Sequence, residues 1–364
     1  MKDRLRILLD CRMATWTGVG RYSTGLARTL AARDDVHVIQ VVAANEVPPV
    51  SSQLRADVVR AHKHPFGPAG AIELGRIARA LAPDLTHCLH FPTPFPASHP
   101  LVVTVHDLTP IVMPEVMPSA LDRFVYRRWN ARVAHVADRI LADSVCTAED
   151  FVRHFPAADA KLAVVPLAGD DFTTGPVGAV PAVFGLRDGE SYLLSMGNPK
   201  PNKDLPTLLR AFAKIAHERL GLRVLLVGRD VPGFIASVID DERVAARVAF
   251  TGRVDDATLR ALYAEASAFV FPSTYEGFGL PPLEAMTFGT PVVSSDAASL
   301  PEVVGDAGLM FTAGNPDALA KAIARVLDDP KLRDRLSTAG PKRAARFTWE
   351  QTAKMTVAVY RELV

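Results

Sequence analysis

One stretch of the chain, residues 271–286, holds the residue types best suited to chemistry, in the order FPSTYEGFGLPPLEAM. Gly277 and Gly279 let the main chain approach a ligand closely, and a helix that begins after them directs its N–H groups and positive dipole end toward the loop. This arrangement suits a phosphate group. Glu276 and Glu284 are spaced to accept hydrogen bonds from hydroxyl groups on either side of that phosphate. The ligand that fits is a nucleotide sugar, and the alternative is a βα turn whose glycines only form a tight corner.

The same segment carries a family resemblance. Glu276 and Glu284 have seven residues between them, with Gly-Phe-Gly-Leu in the middle and the run Gly-Thr-Pro-Val-Val following at 289–293. This pattern resembles the retaining GT-B glycosyltransferases of family GT4. The resemblance covers nearly the whole chain and is strongest from residue 197 to residue 311. It implies that a hexose is transferred from a nucleoside-diphosphate sugar to a hydroxyl group with retention of configuration.

Two N-terminal stretches narrow the resemblance. The opening residues 9–22 and the run His-Asp-Leu-Thr-Pro at 106–110 look most like mannosyl- or rhamnosyltransferases of polysaccharide assembly. A donor of the GDP-mannose type is therefore favoured. The acceptor implied is a saccharide, a lipid-linked molecule or a small molecule.

A hypothesis for the reaction assigns roles within the segment. Glu276 would hold the ring hydroxyls of the donor sugar, and Glu284 would hold the ribose diol. The diphosphate would be bound by main-chain amides of four consecutive residues: Gly277, Phe278, Gly279 and Leu280.

A cation is expected close to this diphosphate. Lys203 follows a predicted strand and a loop, just ahead of a helical pattern, and in the family a lysine here contacts the donor phosphates. Its charge would neutralise the diphosphate and steady it as it leaves. Many members carry an arginine about five residues upstream, where this chain has Asn198, so Asn198 or Lys200 would have to substitute for it. The alternative for Lys203 is an exposed loop lysine.

Three further candidates lie in the N-terminal half. Gly18 and Gly20 follow the first predicted strand, and the resemblance puts them beside the donor phosphate and the acceptor. Glycines are also common in ordinary βα corners. His106 ends a predicted strand, where catalytic side chains of this architecture lie. The resemblance gives it the donor sugar, through hydroxyl contacts or charge stabilisation near the anomeric centre, and the alternative is a structural histidine.

Length and composition set limits on the class of protein. With 364 residues, 49% hydrophobic residues and 22% charged residues, the chain fits a globular protein of two domains. The formal net charge of +1 gives no reason to expect nucleic acid as a partner. Three widely spaced cysteines and the lack of a signal peptide or membrane-length apolar run predict a cytoplasmic protein. No Asp-x-Asp element and no metal-ligand spacing of histidines occurs, so neither a metal nor another cofactor is expected.

The elements that must position these residues alternate between strands and helices, which predicts an α/β protein with two doubly wound parallel sheets. The predicted strands are 7–10, 36–42, 85–89, 101–106, 139–144 and 163–167, then 192–197, 223–228, 248–251, 268–273, 291–294 and 308–311. The predicted domains are 1–170 and 176–346. The resemblance implies that two such Rossmann-like domains face each other across a cleft, with a terminal helix, 347–364, packing back on the N-terminal domain.

A helix predicted over residues 121–140 has Leu121, Val125 and Val133 on one side and several arginines elsewhere. It suits peripheral contact with an anionic membrane or with a lipid-linked acceptor. A domain helix with one buried face and solvated arginines is the alternative.

Two other functions remain open. A glycosidase also uses two carboxyl groups, but Glu284, predicted in a first helical turn, would be kept charged by the helix dipole and would be a poor acid. A non-catalytic nucleotide-sugar-binding protein on the same fold is the second.

Overall fold

The computed structural model describes residues 4–50, 56–169, 172, 175–180, 184–187, 189–196, 200–228 and 233–364. The chain divides into two compact units. The first comprises Met1–Ala168 together with Thr348–Val364, and the second comprises Gly169–Phe347. Each unit contains one sheet whose strands all run parallel, so the predicted α/β class is confirmed.

The first unit has a seven-stranded sheet in the order β3-β2-β1-β4-β5-β6-β7. Its strands are β1 (Leu5–Asp10), β2 (Val36–Ala43), β3 (Ala56–Ala61), β4 (Leu85–Cys88), β5 (Leu101–Val105), β6 (Arg139–Ala142) and β7 (Leu162–Val164). Strand β3 was not predicted. It lies at the sheet edge, where Asp57 and Arg60 interrupt its short apolar run, so the sequence lacks the continuous hydrophobic stretch of a central parallel strand.

The second unit has a six-stranded sheet in the order β10-β9-β8-β11-β12-β13. Its strands are β8 (Ser191–Met196), β9 (Leu222–Val227), β10 (Val248–Gly252), β11 (Ala268–Phe271), β12 (Val292–Ser295) and β13 (Leu309–Phe311). All six strands were predicted, because each is a short, mostly apolar run between helical patterns.

Helices connect the strands of both sheets. Those of the first unit are α1 (Thr17–Ala32), α2 (Pro68–Leu81), α3 (Thr109–Val112), α4 (Ala120–Val136) and α5 (Val145–His154). Those that follow are α6 (Leu205–Ala216), α7 (Gly233–Asp241), α8 (Asp256–Glu265), α9 (Leu280–Thr287), α10 (Leu300–Val304), α11 (Pro316–Asp328), α12 (Pro330–Ala344) and α13 (Trp349–Arg361).

Helix α13, the last of the chain, belongs to the first unit. Gly25 of α1 leaves room for the Trp349 ring, since a Cβ atom at Gly25 would lie 2.1 Å from Trp349 Cε2. Farther along, the Tyr360 hydroxyl is 2.6 Å from Nδ1 of His87, a fully buried residue of β4. Burial holds the pKa of His87 down at about 3, so this ring is neutral and serves as a hydrogen-bonding strut for the helix.

Both sheets reverse their strand order at one point, between β1 and β4 in the first unit and between β8 and β11 in the second. In open parallel sheets, ligands collect beyond the carboxyl ends of the strands at this switch point. The loops that leave β8 and β11 there carry Lys203 and Glu276, and Gly18 is the second residue of α1, the helix that follows β1.

Helix α4 differs from its prediction. It ends at Val136, because Arg139 already begins β6. Its predicted apolar side is not one buried face: Val133 is buried, whereas Leu121 is 70% exposed and Val125 is 41% exposed.

Candidate functional site

The predicted cation and the first glutamate meet in the second unit. Nζ of Lys203 lies 2.5 Å from Oε1 of Glu276, and the two side chains are 16% and 15% exposed. Their loops leave β8 and β11, which are hydrogen-bonded neighbours, so the switch point brings them together although 73 positions separate them. The Lys203 ammonium also lies over the Phe271 ring, 5.2 Å from its centroid. The result is a partly buried ion pair at the edge of the sheet where a ligand is expected.

Asn202 ties these two loops together. Its side-chain Nδ2 donates to the Tyr275 carbonyl at 3.0 Å, and its own carbonyl accepts from the Thr274 amide at 2.8 Å. Asn202 is 5% exposed. Sequence reasoning missed it, because an asparagine before a lysine indicates nothing unless the partner loop is known.

Ser299 holds the opposite side of the Glu276 loop. Its Oγ lies 2.8 Å from the Glu276 carbonyl and 2.7 Å from the Phe278 carbonyl, so its single hydroxyl hydrogen is shared between them. Ser295 likewise donates to the Ser273 carbonyl. Both serines are fully buried: Ser295 is the last residue of β12, and Ser299 lies four residues after it. Hydrogen bonds from Asn202 and from these two serines therefore fix the main chain of the loop.

The glycine-proline corner leads into α9 as predicted, but with fewer free amides than a helix end usually offers. Gly279 has φ = +117°, a conformation that favours glycine, and caps a helix beginning at Leu280. Pro281 and Pro282 follow as the second and third helical residues and have no N–H group. The candidate amides are therefore those of Leu280 and of the loop before it. Phe278 is buried with its ring against Phe347, 5.6 Å between centroids.

Glu284 corrects a prediction. It is the fifth residue of α9 and not part of the first turn, because the helix begins only at Leu280. Glu284 is 4% exposed, and its Oε2 accepts a hydrogen bond from the Tyr263 hydroxyl at 3.0 Å. The carboxylate is thus fixed by a buried tyrosine, and the argument from the helix dipole does not apply to it.

The remaining candidate of this half, Asn198, lies outside the residues that the structure describes. Lys200, the other residue considered for a second cation, is exposed.

Gly18 and Gly20 are the second and fourth residues of α1, in the first unit, and their surroundings differ. A Cβ atom at Gly20 would lie 2.4 Å from the Ala14 carbonyl oxygen, so this position requires glycine for packing. A Cβ atom at Gly18 would meet nothing within 4 Å. Of these two glycines, Gly18 is the one that borders open space.

His106 lies at the carboxyl end of β5 and uses both ring nitrogens. Nδ1 is 2.7 Å from Asp143 Oδ2, and Nε2 is 2.9 Å from the Leu89 carbonyl oxygen. Because a carbonyl oxygen only accepts, Nε2 carries a hydrogen, and Nδ1 donates to the carboxylate. Burial favours the neutral ring, but the charge and hydrogen bond of Asp143 outweigh it and raise the pKa of His106. His106 can stabilise charge with both of its present hydrogen bonds in place. A contact between one of its ring nitrogens and a sugar hydroxyl would require one of these hydrogen bonds to break.

The described residues contain no group of three or more His, Cys, Asp or Glu side chains arranged to hold a metal ion. None of the helices in the described part of the chain has the length and apolar character needed to cross a bilayer.

Comparison with known proteins gives two family matches. Residues 16–170 match the family described as Glycosyltransferase Family 4, and residues 179–343 match the family described as Glycosyl transferases group 1. The chain is 29% identical to the O-antigen chain mannosyltransferase B of Escherichia coli, over 95% of this chain and 96% of that protein. It is 33% identical to the MMP alpha-(1->4)-mannosyltransferase of Mycolicibacterium hassiacum, over 73% of this chain and 66% of that protein.

Among solved structures, the chain resembles sucrose-phosphate synthase from Thermosynechococcus elongatus with a TM-score of 0.79 at 23% identity, over 99% of both chains. That likeness concerns the fold, and it confirms the predicted GT-B class with its two parallel-sheet α/β domains. Together with the two family matches and the mannosyltransferase relatives, it shows that this chain is a glycosyltransferase and belongs to family GT4.

Proposed function

We propose that this glycosyltransferase moves a hexose from a nucleoside-diphosphate sugar, with GDP-mannose as the favoured donor type, to a hydroxyl group of its acceptor with retention of configuration. The observation that carries the proposal is the Lys203–Glu276 ion pair at the β8/β11 switch point. In a donor complex, the Lys203 ammonium would pair with the diphosphate, and the Glu276 carboxylate would accept a hydrogen bond from a sugar hydroxyl.

The diphosphate is neutralised, in this proposal, by Lys203 and by the main-chain amides of Gly277–Leu280, without a divalent metal. Preorganised donors of this kind stabilise the charge that develops on a leaving phosphate. Glu284 holds the ribose diol, with the Tyr263 hydroxyl fixing the carboxylate. Turnover that continues unchanged in EDTA would support metal independence, and loss of turnover restored by Mg²⁺ or Mn²⁺ would contradict it.

The donor type rests on the relatives. Both curated relatives compared with this chain carry mannosyltransferase in their names. A thermal-shift screen with GDP-, UDP-, dTDP- and ADP-sugars tests the choice directly, because a ligand that binds only the folded protein raises its Tm. GDP-mannose should give the largest shift, and a larger shift with any other donor would replace it.

Peripheral membrane contact is a further part of the proposal, supported by α4. Leu121 and Phe124 are 70% and 62% exposed on this helix, next to the exposed Arg127 and Arg128. Apolar side chains beside cations suit an anionic bilayer surface. Sedimentation with anionic and neutral vesicles tests it: a Leu121→Ala, Phe124→Ala double variant should bind anionic vesicles more weakly, and Leu220→Ala, an equally exposed leucine of the second unit, should not. Equal binding by all three proteins would contradict it.

Two alternatives make different predictions. A glycosidase would use two carboxyl groups to cleave a glycosidic bond with water and would release free sugar without any added acceptor. A non-catalytic sensor would bind the donor and release nothing. Transfer requires that free nucleoside diphosphate appear when an acceptor is added, and the one-bond carbon–hydrogen NMR coupling at the new anomeric centre reports retention or inversion.

A further inference from the structure

Four aromatic rings form a continuous row in the first unit. The centroids of Trp16 and Phe66 are 5.3 Å apart, those of Phe66 and His90 are 5.9 Å apart, and those of His90 and His106 are 5.5 Å apart. These spacings are those of aromatic pairs in direct contact. Trp16, at one end, is 44% exposed, while the side chain of His106, at the other end, is 12% exposed.

The row follows the edge of the sheet where a ligand is expected. Trp16 caps the start of α1, after β1, and His90 comes two residues after β4. Strands β1 and β4 flank the switch point of this sheet, and His106 follows the next strand, β5. Gly18, two residues beyond Trp16, borders open space. The rings therefore lie along the carboxyl edge and are partly accessible there.

The chemistry of the row matches a sugar ring. A pyranose has C–H groups that pack against aromatic faces and a rim of hydroxyl groups that require hydrogen-bonding partners. Trp16 and Phe66 supply the apolar faces, and His90 supplies a polar ring. The row contains no lysine or arginine, which a phosphate would favour, and its histidines make it poorly suited to a lipid chain.

His90 carries an unused hydrogen-bonding atom. Its Nδ1 is buried and has no hydrogen-bond partner. Burial, followed by the nearby charge of His106, holds the pKa of His90 well below the usual 6.5. The ring is therefore neutral near pH 7, so one of its nitrogens carries a hydrogen and the other can accept a hydrogen bond.

We propose that the acceptor is a saccharide bound along this row, with a sugar ring stacked on Trp16 and Phe66 and a hydroxyl group held by His90 beside His106. The inference rests on the proposed function and narrows its acceptor class. A small polyol without a ring face, or a lipid phosphate, would gain little from these side chains.

The test measures acceptor kinetics at saturating donor, with mannose oligosaccharides as the acceptors. Trp16→Ala should raise the acceptor KM about ten-fold, because a lost aromatic contact of this size corresponds to roughly one decade in affinity. Trp16→Phe should recover most of the loss, since it restores a ring. His90→Leu should also raise the acceptor KM. Phe95→Leu removes a ring that is 54% exposed and outside the row, so it should behave as the wild type.

Calorimetry separates failure of this inference from failure of the proposed function. The Kd of nucleoside diphosphate should be the same for Trp16→Ala and the wild type. An acceptor KM that is unchanged in Trp16→Ala, or raised equally by Phe95→Leu, would overturn the row as an acceptor site. If the wild type transfers no sugar at all, the proposed function fails, and titration of the same oligosaccharides into wild type and Trp16→Ala still decides the inference: equal Kd values, or no binding to either protein, overturn it.

Discussion

The two units of this glycosyltransferase share one strand order at their switch points but present different side chains there. The second unit offers a lysine and a glutamate at 2.5 Å on loops held by Asn202 and Ser299. The first unit offers a row of rings that ends at a buried pair, His106 and Asp143. The topology fixes where a ligand meets each sheet, and the side chains decide which chemical part of a substrate suits that edge.

The Lys203–Glu276 and His106–Asp143 ion pairs show the same contrast between the two units. The side chains of Lys203 and Glu276 are about one sixth exposed, so their charges remain available to a ligand. Asp143 is 3% exposed at its side chain and already bonded to His106. The first pair is suited to exchanging partners, whereas the second is suited to keeping a cation in place.

The largest effect is expected on the free energy of unfolding, at the buried pair of His106 and Asp143. Asp143→Asn should lower the free energy of unfolding by about 3 kcal/mol near pH 6, because it leaves a buried imidazolium without its counter-charge. The pKa of His106 is raised in the folded state, so the stabilisation is complete below the unfolded value of 6.5 and is lost as pH rises through the folded value. Burial also raises the pKa of Asp143, against the lowering effect of the His106 charge.

Chemical denaturation between pH 6 and pH 9 measures this. The stability gap between wild type and Asp143→Asn should shrink toward the alkaline end. Asp57→Asn is the matched control, since His37 and Asp57 are 2.8 Å apart but their side chains are 29% and 67% exposed, and its gap should stay below about 1 kcal/mol. A gap that grows with pH would contradict the assignment of a charged His106.

The next effect concerns catalysis in the second unit. Lys203→Ala should lower kcat by about 10²–10³, the usual loss when one preorganised donor to a developing negative charge is removed. Lys214→Ala is the control, since this lysine of α6 pairs with Asp317 at 48% exposure. Steady-state rates at saturating donor make the comparison, and equal rates for both variants would remove Lys203 from the phosphate site.

Removal of the second glutamate should act on binding. Glu284→Ala should weaken nucleoside-diphosphate affinity by about ten-fold or more, as expected for a hydrogen bond to a charged group. Tyr263→Phe, which removes only the hydroxyl that fixes this carboxylate, should show a smaller loss in the same direction. Calorimetric titration measures both, and unchanged affinity in Glu284→Ala would rule out its contact with the ribose.

The smallest effect distinguishes the two glycines of α1. Gly20→Ala should destabilise the protein by roughly 1–3 kcal/mol, because its Cβ would press on the Ala14 carbonyl. Gly18→Ala should leave stability unchanged or raise it slightly, as alanine favours a helix. If Gly18 borders a ligand, its variant should lose activity without losing stability, and full activity in Gly18→Ala would count against that role.

The sequence was sufficient for those parts that depend on local pattern. Twelve of the thirteen strands in the described part of the chain were predicted, because most parallel strands are short apolar runs between helical patterns. The exception, β3, is an edge strand with polar residues. The sequence also predicted that Lys203 lies on a loop close to the Glu276 loop, but it did not predict the ion pair between them.

Other features depend on contacts between segments far apart in the chain. Asn202 and Ser299 act on the Glu276 loop through main-chain carbonyls, which no side-chain pattern reports. Glu284 was predicted in the first turn of α9 because the two prolines suit the first helical positions, but the helix already begins before them, at Leu280. The aromatic row assembles Trp16, Phe66 and His90 from three separate loops, so its members were not recognisable as a group.

The central claim is that the corner between Lys203 and Glu276 binds the diphosphate of the donor, and calorimetric titration of GDP-mannose into wild type, Lys203→Ala and Lys214→Ala tests it most directly. We expect tight binding to wild type and Lys214→Ala and at least ten-fold weaker binding to Lys203→Ala, since a charged hydrogen bond would be lost. Equal affinity for all three proteins would contradict the claim.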